Sequence, residues 1–160
     1  MRRRHSHDTI YSLKIIAEGQ PIPVWRVLAV PAAIRMHELQ SVIRIVMGWR
    51  RWPRDLALRI PTHSADTRAP AGSDPKLHQV LTAPMAWFLL HDPTGRVPTF
   101  SITCEESWPA PEPRTLVARC LAGKGSLTLD AGVAPVVDAP FDCERVNARL
   151  ARLRLTRSAA

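Results

Sequence analysis

Three cysteines, six histidines and a few adjacent carboxylates are the side chains of this chain best equipped for catalysis or metal binding. Cys104, Cys120 and Cys143 are odd in number and none belongs to a C-x-x-C pair, which argues against a disulfide framework and for a reducing cytoplasm. A structural zinc site needs four Cys or His ligands, usually in two close pairs. Only His5-Ser6-His7-Asp8 has such close spacing, and it lies in the N-terminal tail; His37, His63, His78, His91 and the cysteines are scattered singly, so no metal or other cofactor is expected. Cys120 combined with a histidine would make a nucleophile on paper. No flanking signature supports it, and a buried cysteine ordinarily serves as a small hydrophobe. Glu105-Glu106 is a carboxylate pair, but neighbours on a strand point to opposite faces. Gly123-Lys124-Gly125-Ser126 has the composition of a phosphate loop without the full G-x-x-x-x-G-K-[ST].

Charge offers a different kind of chemistry. Lys and Arg number 22 against 14 Asp and Glu, a formal balance of +8, and only Lys14, Lys76 and Lys124 of the basic residues are lysine. Guanidinium forks grip oxyanions in pairs, so an arginine surplus suits phosphate recognition. The spread of arginines along the chain equally fits a GC-rich coding sequence. Two clusters stand out: Arg50, Arg51 and Arg54 around Trp52, and Arg145, Arg149 and Arg152 at helical spacing near the C-terminal end. Trp52 is the one aromatic residue inside a basic cluster, and tryptophan stacks on bases. Trp25 and Trp49 are expected in the core. These clusters are the candidate nucleic-acid site, for weak, sequence-independent binding, since no recognition-helix motif is visible.

The elements that must position these residues follow from apolar periodicity. Ile10 to Glu18 alternates, with Tyr11, Leu13, Ile15 and Ala17 on one side, as a half-buried strand does. Gly19 to Pro23 turns the chain, and Val24 to Val30 returns as the second strand of a hairpin. Ile34 to Met47 changes to helical spacing, with Met36, Leu39, Ile43 and Val46 on one stripe and Gly48 placed for a left-handed C-terminal cap. Leu13, Ile15, Leu28, Leu39, Ile43 and Val46 should share one core.

Further strands are expected over Leu56 to Ile60, Met85 to Leu90, Val97 to Glu105 and Thr115 to Leu121, and a short helix over Leu77 to Leu81. Asp92-Pro93-Thr94-Gly95 reads as a turn. Residues 61–75 read as a polar surface loop, Pro109 to Pro113 as an extended connector, and Ala122 to Pro140 as loop. A final helix over Cys143 to Leu155 is capped by Asp142. The pattern is α+β: a single domain over residues 10–156, preceded by a flexible basic tail at 1–9. Its mostly antiparallel sheet should carry helices on one face. The 160 residues, 46% hydrophobic, are enough for such a core. The longest apolar run, Ala83 to Leu90, is far short of the roughly 20 residues a membrane span needs. Lys14 and Glu18 interrupt the segment after Met1-Arg2-Arg3-Arg4, against a secretory signal.

Three stretches resemble the Ri-plasmid ORF-three-like family of plasmid and insertion-element passenger proteins. Tyr11-Ser12-Leu13-Lys14, Pro23-Val24-Trp25-Arg26, Val30-Pro31-Ala32, Glu38-Leu39, Val42-Ile43 and Met47-Gly48-Trp49 are similar to its Y-x-L-K, P-I-W-R, V-P-A and E-L-H-x-x-I-Q-x-x-M-G-W. Arg119-Cys120-Leu121-Ala122-Gly123 is similar to its P-R-C-L-A-G, and Phe141-Asp142 with Val146-Asn147-Ala148-Arg149-Leu150 to its closing run. The resemblance implies an α+β fold and an association with mobile elements, with a protein encoded on the same element as a conceivable partner. It brings no established activity. Where the family shows His-Leu-His after G-W, this chain has Trp52-Pro53-Arg54-Asp55-Leu56. The acidic signature is reduced to Asp92 and Gly95, and two later cysteines are replaced within Ser126 to Gly132. The expectation is a non-catalytic binding or accessory module; the rival is an enzyme with a degenerate pocket lined by His91, Asp92 and Cys120.

Overall fold

The computed structural model describes residues 9–48, 56–61, 66–68, 73–82, 86–111, 118–127 and 140–155. Strands β1 (Thr9–Ala17) and β2 (Trp25–Pro31) form the expected hairpin, with Leu13 opposite Leu28 and Ile16 opposite Trp25. Helix α1 (Met36–Met47) follows and stops at Gly48, whose φ of 76° suits a residue without a Cβ. Its start is two residues later than the periodicity predicts. Ile34 and Arg35 are held extended by the neighbouring segment, with Leu77 N–H donating to the Ile34 carbonyl and Met36 N–H to that of Pro75.

The remaining elements are β3 (Ala57–Pro61), β4 (Asp66–Arg68), α2 (Leu77–Val80), β5 (Trp87–His91), β6 (Phe100–Pro109), β7 (Arg119–Lys124) and α3 (Cys143–Leu150). The seven strands form one sheet in the order β4-β3-β5-β6-β1-β2-β7, and every pairing is antiparallel. Residues 61–75 are therefore not loop throughout, because Asp66–Arg68 pairs back onto β3. β6 runs four residues past Glu105, since β1 supplies a partner as far as Thr9 opposite Pro109. That pairing draws Thr9 into the sheet and out of the predicted tail. Likewise Ala122 to Lys124 extend β7 along β2.

The helices pack on one face. Leu13, Ile15, Leu28, Leu39 and Ile43 are fully buried there and Val46 almost so, in one core that also takes in Leu77, Phe88, Phe100, Ile102 and Leu150. The fold is thus a single α+β domain. Trp25 does not join this core; its strand parity sends it to the opposite face, half-buried, with Lys14 Nζ 5.8 Å above its ring.

Two bulges decide which residues reach the core. Leu13 pairs with Cys104 but Ser12 with Glu106, so Glu105 is an extra residue in β6. Beyond it the parity of β6 reverses, and Trp108 lies opposite Ile10 rather than inward with Phe100 and Ile102. Leu28 pairs with Cys120 but Val27 with Ala122, so Leu121 is the extra residue of β7. Cys120 and Gly123, an odd number of positions apart, consequently share the core face.

Candidate functional site

Val24, just before β2, and the inward positions of β2, Arg26, Leu28 and Val30, are all buried. Arg26 is 2% exposed, the one cation of the described core. A buried charge is tolerable only when its donors are satisfied. Arg26 Nε donates to the Val46 carbonyl at 2.9 Å, Nη1 to those of Trp25 and Lys124 at 2.7 Å each, and Nη2 to that of Gly125 at 2.8 Å. The Phe141 ring stacks on the guanidinium, its centroid 3.8 Å from Cζ. No carboxylate forms an ion pair with it among the described residues. Burial pushes its pKa down to about 10, against smaller upward contributions from Cys120 and Cys143, so the side chain is still a cation at neutral pH.

The surrounding sequence is shaped by this side chain. A Cβ on Gly123 would stand 2.6 Å from Phe141 Cε1 and 2.8 Å from Arg26 Cδ, so glycine is what lets ring and arginine lie over β7. Gly125 has φ +73°, which aids the turn that brings its carbonyl to Nη2. Gly123 to Gly125 is therefore an arginine cradle rather than a phosphate loop. A phosphate loop presents N–H groups to an anion, whereas here the Lys124 and Gly125 carbonyls face a cation. β2 with the end of α1, β7, and the run from Phe141 all meet at this point.

Helix α3 completes the cluster. Asp142 caps it as predicted, its side chain accepting from Arg145 N–H at 3.0 Å. Asn147 accepts from Cys120 N–H at 2.7 Å and donates to the Cys120 carbonyl at 2.9 Å, doing for this edge strand what a further strand would do. The first residue of α3, Cys143, brings its Sγ to 3.9 Å from that of Cys120. The cysteines thus are not all scattered singly.

The α3 helix ends at Leu150, five residues before the predicted end. Its last turn tightens: Arg152 N–H donates to the Arg149 carbonyl and Leu153 N–H to that of Leu150. Such i to i+3 turns nearly eclipse residues three apart, so Arg152 follows Arg149 on the same side although it lies beyond the helix. Arg145, Arg149 and Arg152 are all exposed, and none is in an ion pair among the described residues. The other predicted cluster, Arg50, Arg51, Trp52 and Arg54, lies outside the described residues, as do Trp49 and the histidines at 5, 7 and 63.

The residues of the rival catalytic pocket do not meet. β5, which ends at His91, is separated from β7 by three strands, so Asp92 and Cys120 stand on the order of 19 Å apart at the usual strand spacing. Asp92 is instead the organiser of its own turn. Its buried carboxylate accepts from Thr94 N–H and Oγ1 and from the N–H groups of Arg96 and Val97, at 2.8–3.2 Å. Burial alone would raise its pKa, but these hydrogen bonds together outweigh it and hold the carboxyl below the ordinary range. Elsewhere, His37 Nδ1 pairs with Asp74, whose other oxygen accepts from His37 N–H; this exposed clamp ties the start of α1 to the segment before α2. The Ser41 hydroxyl beside it donates to the His37 carbonyl rather than to the ring, so no nucleophile is aligned there. Among the described residues no group of three or more His, Cys, Asp or Glu could hold a metal ion, and no helix is long and apolar enough to cross a membrane.

Comparison with solved structures finds the same fold in a protein of unknown function from Methanosarcina mazei Go1, known from its crystal structure. The two superimpose with a TM-score of 0.60 at 22% identity, over 78% of this chain and 75% of that one. No family model and no curated protein matches the chain.

Arg26 is not among the site residues expected from the sequence, although the sequence holds a signal for it. An arginine standing on the inward parity of Val24, Leu28 and Val30 is out of pattern for a half-buried strand. The Cys120–Cys143 approach left no comparable local trace, because it is made by a bulge and by residues 23 positions apart.

Proposed function

We propose that this chain is a divergent member of the Ri-plasmid ORF-three-like family and acts as a non-catalytic binding module whose ligand is the phosphate backbone of nucleic acid. The observation that carries the reading is the line of exposed arginines along α3 and the turn after it, Arg145, Arg149 and Arg152, none of them in an ion pair among the described residues. Glu144 cannot neutralise the line through an i+4 pair, because position 148 is alanine. Arg119 on the adjoining strand is exposed too and adds to the positive field at this edge of the sheet. The non-catalytic part of the reading is supported by Arg26 and Asp92. Each is a buried charge, and each is bound up in holding backbone.

Binding of this kind is electrostatic and indifferent to sequence, with a dissociation constant on the order of micromolar or weaker. Three to six neutralised phosphates give a log–log salt slope of roughly −3 to −5 on duplex DNA. The test is a salt titration of labelled duplex and single strand with the full chain. Replacing Arg145, Arg149 and Arg152 with Gln should reduce the slope by roughly three. Absence of binding at about 50 mM salt would defeat the reading and favour a protein partner encoded on the same element. Binding untouched by the triple change would transfer the site to Arg50, Arg51, Trp52 and Arg54.

A further inference from the structure

Cys120 and Cys143 are held in register by contacts that do not involve sulfur. The two hydrogen bonds between Asn147 and the Cys120 backbone fix α3 against β7, and Asp142 fixes the first turn from which Cys143 projects. Within that frame the two Sγ atoms are 3.9 Å apart. A disulfide requires about 2.05 Å, so roughly 2 Å of closure is left for side-chain rotation and small shifts of the helix end. The sulfurs differ in access. Cys143 is half-buried, whereas Cys120 is 2% exposed on the core face. The third cysteine, Cys104, lies on β6 with its thiol directed to the Glu106 carbonyl.

We infer that Cys120 and Cys143 form a reversible dithiol–disulfide site that a hydroperoxide oxidises and a small-molecule thiol reduces. Cys143 is the entry sulfur. A hydroperoxide transfers its terminal oxygen to the Cys143 sulfur, leaving as water or an alcohol, and Cys143 becomes a sulfenic acid. The Cys120 sulfur then attacks that of Cys143; the S–O bond breaks, and the departing hydroxyl leaves as water with the Cys120 proton. The two sulfurs together lose two electrons, which the hydroperoxide gains. In the reverse direction a small thiol attacks Cys143, Cys120 leaves and takes up a proton, and a second small thiol resolves the mixed disulfide.

The environment sets the order of attack. Burial first, then the neighbouring Cys143, pushes the Cys120 thiol up to about 12, against a smaller downward pull from Arg26. Cys120 is therefore a slow nucleophile at neutral pH and waits for Cys143 to be activated. This inference is independent of any phosphate binding by α3.

The test uses the full reduced chain treated with hydrogen peroxide in modest excess. Free thiols should fall from three to one, and peptide mapping should find Cys120 linked to Cys143 within one chain. Reduced glutathione should restore all three thiols. Cys104→Ser should leave the linkage intact. Cys143→Ser, a near-isosteric change at a half-buried position, should abolish it while circular dichroism stays unchanged. The inference is overturned if Cys143 accumulates as sulfinic acid with no linked peptide, or if the only disulfides formed join separate chains.

Discussion

Arg26 and the arginines of α3 are the same residue in opposite circumstances, and both environments are built on the edge strand β7. Arg26 lies beneath the sheet face, with four N–H groups on four carbonyls and a ring against its plane. Arg145, Arg149 and Arg152 stand in water without ionic partners among the described residues. A guanidinium in solvent costs nothing to keep and is free to meet an anion. One in the core must be matched donor by donor, and the matching then becomes structure: it joins β2, β7, the end of α1 and the segment before α3. The lesson is that solvent access divides the arginines near this edge: the buried one is committed to structure, and the exposed ones are not.

The largest expected effect comes from breaking the buried half. Arg26→Ala strips four carbonyls of their donor and opens a cavity, and should cost about 3–5 kcal/mol in urea or guanidinium unfolding. Arg26→Lys should recover only part of that, since one ammonium cannot span the acceptors of a planar fork. An alanine variant as stable as the parent would deny Arg26 its organising role. Gly123→Ala tests the cradle with less violence. Its new methyl would overlap Phe141 and Arg26, for an expected loss of about 1–3 kcal/mol. An unchanged unfolding midpoint would mean that ring and arginine have room to spare.

Asp92, a buried anion separated from β2 by two strands, sharpens the comparison with the buried cation. Its folded pKa is lowered, so the unfolded chain takes up the proton more readily. The stability it adds is fully present above the unfolded value, about 4, and is lost as pH falls through the lower folded value. Asp92→Asn should therefore lower stability at pH 7 and flatten the acid limb below about pH 4. Identical acid limbs for variant and parent would refute this account of the turn. The smallest effect belongs to the exposed half: Gln at Arg145, Arg149 and Arg152 should each change stability by less than about 0.5 kcal/mol. A large loss would mean that these arginines hold the fold together, as Arg26 does.

Much of the frame is legible in the chain itself, for a definite reason. The hairpin, α1 with its Gly48 stop, the Asp142 cap and the inward set Leu13, Ile15, Leu28, Leu39, Ile43 and Val46 are each specified within about ten residues, by periods of two or 3.6 and by capping chemistry. The one-sided α+β layering follows, because each apolar stripe must be covered by another. Tertiary structure decided the rest. The bulges at Glu105 and Leu121 follow from strand pairing over long separations, and they alone determine that Trp108 turns outward and that Cys120 and Gly123 turn inward together. The carbonyls that satisfy Arg26 include two lying 98 and 99 residues away, a distance over which no local pattern carries information. The helical spacing of Arg145, Arg149 and Arg152 was written in the sequence. Where α3 stops, and that a tightened turn keeps Arg152 in line, depended on how that last turn settles its carbonyls once Leu150 is buried.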